Sequence, residues 1–408
     1  MREILKQSSW LFFAQVLTRV IGFFYTIFLA NKLGVSDFGL FTVGFAYFSI
    51  ISSVADFGFN RYLIREIAQG EVKSKELVSN IVMLRLTITA IIFAVFSIIL
   101  YLFDPDKFRV SIILLSSLAI LPQAVAITFD GIFVALRKLQ LSSLSLIISS
   151  MSTVLAGFLL INQGFGVIGA VNALIFGQLM YVLTLALLLF QNRTAILSVV
   201  KLSIIKKILI GSLPYGLLGI LGLLYFRIDT ILLSYLRGSF ETGIYGVAYR
   251  FLEGVSFIPS AFFAAFFPVL VNVQNSKPEV SRLYLKSLRL LGGVGILILI
   301  GYIFILPEVI KTFLPDYLPS ISAITILSFS IPFMLMQVAA VSVLLSNERF
   351  LKQVLMLSVF ILAFNILANL IFIPQYGYIA AAWVTVLSEI LSFIVFFLFI
   401  KSKVLDRR

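Results

Sequence analysis

Residues 225–270 read YFRIDTILLSYLRGSFETGIYGVAYRFLEGVSFIPSAFFAAFFPVL, and they set Arg227, Asp229, Arg250 and Glu253 inside segments apolar enough to lie in a bilayer. A charged side chain in the hydrocarbon region costs about 3 kcal/mol or more, so such groups are rare, turn inward and serve binding or transport. The stretch therefore raises fold and function together: helices that cross a membrane and carry charge for a task.

The rest of the chain agrees with this reading. Of 408 residues, 61% are hydrophobic and 12% charged, against about 45–50% and about 25% in soluble domains. Mean hydropathy is +1.11, and apolar runs of about 20 residues recur from end to end. The fold class expected is an all-α polytopic membrane protein with twelve spans, at 8–30, 38–60, 81–103, 110–135, 143–161, 167–190, 208–236, 243–271, 288–306, 320–345, 353–373 and 378–400. The first span carries Arg19 at its centre and no small-residue cleavage site follows, so it reads as a permanent helix and not a signal peptide.

The net charge of +13 would point to nucleic acid in a soluble protein. Here its distribution follows the spans. With the N-terminus inside, 23 of the 31 lysines and arginines fall on the cytoplasmic side. The outer side receives Lys32, Lys107, Arg109, Arg237 and Lys311, and Arg19, Arg227 and Arg250 lie within spans. That bias places both termini in the cytoplasm and the chain in the cell membrane, with lipid and not nucleic acid as its surroundings. Tyr101, Tyr235, Tyr245, Tyr317, Tyr376 and Tyr378 near the outer boundary, and Trp10 near the inner, read as interfacial belts.

The chain repeats itself. GVSDFGLFTV at 34–43 returns as GSFETGIYGV at 238–247, 204 residues on, and GVIGA at 166–170 returns as GYIAA at 377–381, 211 residues on. Each half holds six spans, an even number, so the halves enter the membrane in the same direction. That implies parallel repeats related by a pseudo-two-fold axis along the membrane normal, with a binding site expected between them. The domains expected are an N-terminal six-helix lobe over 1–190, a cytoplasmic interfacial linker over 191–207 and a C-terminal six-helix lobe over 208–408. The linker, QNRTAILSVVKLSIIKK, suits a helix lying on the anionic inner leaflet. RYLIREIAQGEVKSKELV at 61–78 reads as a helical extension of mixed charge.

There is no cysteine and no histidine, which removes thiolate sites, imidazole catalysis and the commonest metal ligand. No G-x-x-x-x-G-K-[ST], H-E-x-x-H or G-x-S-x-G occurs, and no loop reaches 30 residues. The expectation is a protein that is not an enzyme, without cofactor or metal, coupled to an ion gradient or the membrane potential.

Arginine stays charged, and its fork matches phosphate oxygens in pairs. If Arg19, Arg227 and Arg250 face one cavity, its central-to-outer part is positive and suits a pyrophosphate. Two alternatives stand beside this: Arg250 and Glu253, three residues apart on one helix face, neutralise each other, or Arg227 snorkels to the outer interface. Among the carboxylates, Glu253, Asp229 and Glu389 are the candidates for ion coupling, whereas Asp56 and Asp130 lie near inner basic loops and are expected to cap or pair there. Pro214, Gly216, Gly219 and Gly222 make the seventh span the candidate gate, close packing of small residues being the alternative.

The pattern also resembles a known family. YFRIDTILLSYL, GIYGVAYR and FIPSAFFAAFFPVL, together with GFFYTIFLANKLGVSDFGLFTVGFAY and DFGFNRYLIREIA earlier, are similar to the Wzx-type oligosaccharide flippases of polysaccharide biosynthesis, in the multidrug/oligosaccharidyl-lipid/polysaccharide exporter superfamily. The resemblance implies two six-helix lobes around a cavity and a polyprenyl-pyrophosphate-linked oligosaccharide moved from the inner to the outer leaflet by alternating access. It also implies a monomer that works beside other polysaccharide-assembly proteins. Related lipid II flippases keep essential arginines in the first and eighth helices, which would fall on Arg19 and Arg250. The run Thr18-Arg19-Val20 lacks an acidic neighbour, and the two extra helices of those proteins are missing, which counts against lipid II as cargo. The alternatives are a cation-coupled drug or metabolite antiporter of the same superfamily and a membrane glycan polymerase. The first would favour acidic cavity residues, and the second needs a large outer loop.

Overall fold

A computed structural model describes residues 2–69, 74–192, 198–274 and 276–405. Among these residues every regular element is a helix. The α-helices run, in order, α1 (Arg2–Asp56), α2 (Phe59–Gln69), α3 (Ser74–Phe103), α4 (Lys107–Leu118), α5 (Ile120–Ala135), α6 (Leu139–Asn162), α7 (Gly166–Gln191), α8 (Ile205–Val255), α9 (Phe257–Val273), α10 (Lys277–Phe313), α11 (Ser320–Ser328), α12 (Ile331–Leu345) and α13 (Leu351–Ile400). Among the described residues, eight helical runs are long and apolar enough to cross a membrane, and the pair α11–α12, bent by 40°, makes a ninth.

Three of those runs are too long for one crossing. The 47 residues of Trp10–Asp56 would measure about 70 Å as a straight helix, over twice the roughly 30 Å of bilayer hydrocarbon. Each long run is broken by one glycine in a backbone conformation that essentially only glycine adopts: Gly34 (φ 72, ψ 173) in α1, Gly238 (φ 85, ψ −177) in α8 and Gly377 (φ 59, ψ −139) in α13. These breaks fall in the gaps expected at 31–37, 237–242 and 374–377, so the nine runs supply twelve traverses. In α8 and α13 the two arms fold back on each other. Tyr245 reaches Asp229 across Gly238, and Asn365 donates to Ser388 Oγ at 3.1 Å across Gly377.

The repeat is present in the backbone itself. Gly34 and Gly238 share one conformation, and Gly166 (φ 52) and Gly377 (φ 59) both hold a positive φ. Each unit also carries an acid three residues past its first glycine, facing the second. In one, a Cβ added to Gly166 would stand 3.8 Å from the Asp37 carboxylate; in the other, a Cβ on Gly377 would strike Glu241. Glu241 accepts the Tyr378 N–H at 2.9 Å and pairs with Arg237 at 2.7 Å. An acid at the start of a helix meets its unsatisfied amides and the positive end of its dipole.

Packing divides the chain into two compact units, Met1–Arg227 and Ile228–Arg408. In the first, α1 packs against α3, α4, α5, α6 and α7, and in the second α12 packs against α9, α10 and α13. Phe57 (φ 45) and Gly58 (φ 78) end α1 and turn the chain into α2, which buries Phe59, Tyr62, Leu63 and Glu66 at i, i+3, i+4 and i+7. By contact, residues 208–227 belong with this first unit and not with the lobe that the span count assigned them to. The physical reason is close packing: Gly211 faces the Tyr62 ring, and a Cβ on Gly58 would come within 2.5 Å of Gly216 N and Ser212 O.

In the connector over 191–207, residues 193–197 lie outside the described residues. Its described part is not the expected surface helix. Residues 198–201 have no regular structure and Leu202–Ile204 form a 3-10 turn. Ser198 N–H donates to Ser79 Oγ at 2.8 Å and Lys201 pairs with Glu76 at 2.8 Å, so α3 supplies the partners that a helical ladder would otherwise provide. Two belt tyrosines are corrected as well. Tyr245 and Tyr317 are fully buried in protein, whereas Tyr101 and Tyr376 stay exposed.

Candidate transport site

The first unit carries two of the three arginines. Arg19 is exposed on α1, among the apolar side chains of its span. Arg227, on the first arm of α8, is half-buried, and its guanidinium lies 5.2 Å from the centre of the Phe45 ring. A cation over an aromatic face gains about 0.5–2 kcal/mol.

Asp229 lies only two residues on, which turns it roughly 200° around the helix and into the second unit. It is 2% exposed. Its carboxylate takes the hydroxyl of Tyr245 and that of Thr385, the latter at 3.4 Å, and Thr230 N–H closes on its other oxygen at 2.7 Å. Tyr245 and Thr385 also meet each other at 3.2 Å. Both arms of α8 and the second arm of α13 thus converge on one buried carboxylate, and the elbow at Gly238 is what brings residues 229 and 245 together.

Arg250 pairs with Glu253 at 3.0 Å, one turn along α8, both side chains half-buried. The spacing allowed this pairing, and it gives Arg250 a counter-ion. Glu389 is buried on α13 beside Ser388, to which Asn365 donates, and Asn369 donates to Asn365 at 3.0 Å. Pro214 lies inside α8, a Cβ added to Gly216 would stand 2.6 Å from the Phe57 carbonyl and one added to Gly219 3.7 Å from Ser53 Oγ, and Gly222 faces open space. Among the described residues no cluster of three or more acidic side chains could hold a metal ion.

Two buried residues here escape a reading of the sequence. Arg85 counts there as an inner-loop cation, yet it is 1% exposed. It pairs with Asp56 and donates to Ala124 O at 3.0 Å and Thr128 Oγ1 at 2.7 Å. Its position four residues inside an apolar span was the available signal. Tyr245 offered none, because its partner becomes visible only once the chain bends at Gly238.

Residues 4–274 match the family model described as polysaccharide biosynthesis protein. The chain belongs to that family. A search of curated protein sequences finds no significant match. Among solved structures, this member of the polysaccharide biosynthesis family is similar to an inward-facing multidrug resistance MATE family transporter of the MOP superfamily (TM-score 0.72, 18% identity, 93% of this chain and 94% of that one covered). It is also similar to the lipid II flippase MurJ in an inward closed conformation (TM-score 0.76, 15% identity, 96% and 87% covered). A MOP superfamily transporter from Pyrococcus furiosus follows at a TM-score of 0.63 and 17% identity, with 100% and 96% covered. At such identities the likeness speaks for the fold: this family member is a multi-pass helical membrane protein with the MOP transporter architecture.

Proposed function

We propose that the chain is a flippase that moves a polyprenyl-pyrophosphate-linked oligosaccharide from the inner to the outer leaflet of the cytoplasmic membrane by alternating access, for cell-surface polysaccharide synthesis. The observation that carries this reading is the set of arginines, Arg19, Arg227 and Arg250, placed within apolar spans of a polysaccharide biosynthesis family member. Guanidinium groups recognise phosphate oxygens in pairs and keep their charge at any physiological pH.

In this reading the arginines hold the pyrophosphate, the glycan occupies a polar cavity and the prenyl tail remains in lipid. Glu253 holds Arg250 in the unloaded protein (3.0 Å) and gives it up to the headgroup. Asp229, a buried carboxylate held by neutral hydroxyls, is the first candidate for gradient coupling, and the buried Glu389 is the second. The moving bodies are the two repeated halves, with the 205–227 arm of α8 as the segment that shifts. The protein works as a monomer, with both termini in the cytoplasm.

A reconstituted transport assay with defined polyprenyl-pyrophosphate oligosaccharides tests the reading. Arg19→Ala and Arg250→Ala should each lower export at least tenfold while the protein stays in the membrane. Retained export in both variants removes headgroup capture by these side chains. The second reading, a cation-coupled antiporter, draws on the buried Asp229–Tyr245–Thr385 group, and it predicts efflux of organic cations that Asp229→Asn abolishes and Arg19→Ala leaves intact.

A further inference from the structure

Asp130 stands apart from the ion pairs of this protein. It lies on α5, five residues before the helix ends at Ala135 and so about 8 Å inside that end. The position near a basic turn predicts a cationic partner, but none of the described lysines or arginines pairs with it. Its carboxylate instead takes the Ser142 hydroxyl, on α6, and interacts with the Tyr181 hydroxyl, on α7. Between Leu139 and Asn162, and between Gly166 and Gln191, neither helix carries a single charged residue.

The other charges packed around α5 are already matched or lie on the outer face of α2. From α1 and α3 come Asp56 and Arg85, which pair with each other. From α2 come Arg61, Arg65 and Glu66, of which Glu66 is buried and lies 3.6 Å from Lys207, while both arginines are exposed. Asn60 of α2 faces Gly131, the residue after Asp130.

The difference in partners decides the chemistry. Arginine only donates hydrogen bonds, so a protonated Asp56 has no acceptor for its proton in Arg85 and gives up the ion pair. Serine and tyrosine hydroxyls donate to a carboxylate and accept from a carboxylic acid equally well. Asp130 therefore keeps both partners in either protonation state, while the basic residues of the following turn are engaged elsewhere: Arg137 is exposed and Lys138 donates to Asn192 Oδ1 at 2.8 Å. The same kind of partner, tyrosine and threonine hydroxyls, surrounds Asp229 in the second unit.

We propose that Asp130, Ser142 and Tyr181 form a reversible proton-binding site in the first unit, reached from the end of α5 that leads into the 136–138 turn. The proton is held at the Asp130 carboxyl, shared by hydrogen bonds with the two hydroxyls, and is released to the aqueous side at that turn. This site rests on the transport reading only for what the proton is used for, not for its existence.

Infrared difference spectra between acidic and alkaline pH, recorded on the reconstituted protein without cargo, test it. The carbonyl stretch of a protonated side-chain carboxyl should titrate in the natural protein, lose a component in Asp130→Asn and keep that component in Asp56→Asn. Ser142→Ala and Tyr181→Phe should shift its frequency by removing one hydrogen bond each. A spectrum that Asp130→Asn leaves unchanged overturns the proposal. If that variant fails to reconstitute, absence of a shift in both hydroxyl variants overturns it equally. Because no oligosaccharide is present, a failed export assay leaves this measurement standing.

Discussion

The densest chemistry of the second unit gathers at Asp229, and its partners predict what two substitutions do. Asp229→Asn keeps the size and most hydrogen-bonding capacity of the side chain, so the protein should stay folded while gradient-driven transport falls to the level without a gradient. Tyr245→Phe should instead cost stability, about 1–3 kcal/mol, because it removes one of the donors to a buried carboxylate. Thermal unfolding in detergent beside a transport assay separates the two effects. Asp229 was legible in the sequence, since a carboxylate amid leucine and isoleucine declares itself. Tyr245 was not: a tyrosine near a span boundary fits the interfacial belt equally well, and only burial at 0% exposure distinguishes an inward hydroxyl from an outward one. Arg85 went unread for a related reason. Counting charges by loop assigns a residue to a side of the membrane, not to the partners its side chain finds two helices away in sequence.

At the level of the helix, α8 draws its glycines into two different jobs. Gly216 lies against the turn that joins α1 to α2 and Gly211 against the Tyr62 ring of α2, whereas Gly222 meets nothing within 4 Å. Gly58→Ala combines a left-handed backbone (φ 78) with a Cβ 2.5 Å from main-chain atoms, and main chain yields less readily than a side-chain tip. It should destabilise by roughly 2 kcal/mol or more, from strain and overpacking together. Gly216→Ala, 2.6 Å from the Phe57 carbonyl, should cost a comparable amount, and Gly222→Ala should be neutral or raise stability by up to about 1 kcal/mol through helix propensity. Unfolding midpoints of the three variants check the order; equal midpoints would mean that the arm does not pack tightly on the turn. The glycine-rich run of α8 was visible in the sequence, and it left gating and close packing as equal readings. What separates them at Gly216 is a partner more than 150 residues earlier, which no local pattern encodes.

Across the whole molecule the repeat supplies a frame and not a chemistry. Gly34 and Gly238, Gly166 and Gly377, and the acids Asp37 and Glu241 recur in place because a positive φ at each turn demands glycine, and each acid stands beside the second glycine of its unit. That demand made the repeat legible from a handful of residues. The charged groups do not recur: 204 residues before Arg227, Asp229 and Arg250 stand Phe23, Tyr25 and Ala46. Duplicated architecture therefore carries charged groups that do not repeat, with Asp130 in the first unit and Asp229 in the second. Which face of the membrane each group opens to depends on orientation, and orientation rests on the loop charges. An excess of lysine and arginine holds its side in the cytoplasm, and the chain's lack of cysteine makes this directly measurable. Single cysteines at the exposed positions Lys107 and Lys311 should react with a membrane-impermeant maleimide on intact cells, and cysteines at Lys206 and Lys352 should react only after permeabilisation. The reverse pattern would put the termini outside and would turn the Asp130 end of α5 toward the exterior, so that a proton bound there would enter from the opposite side.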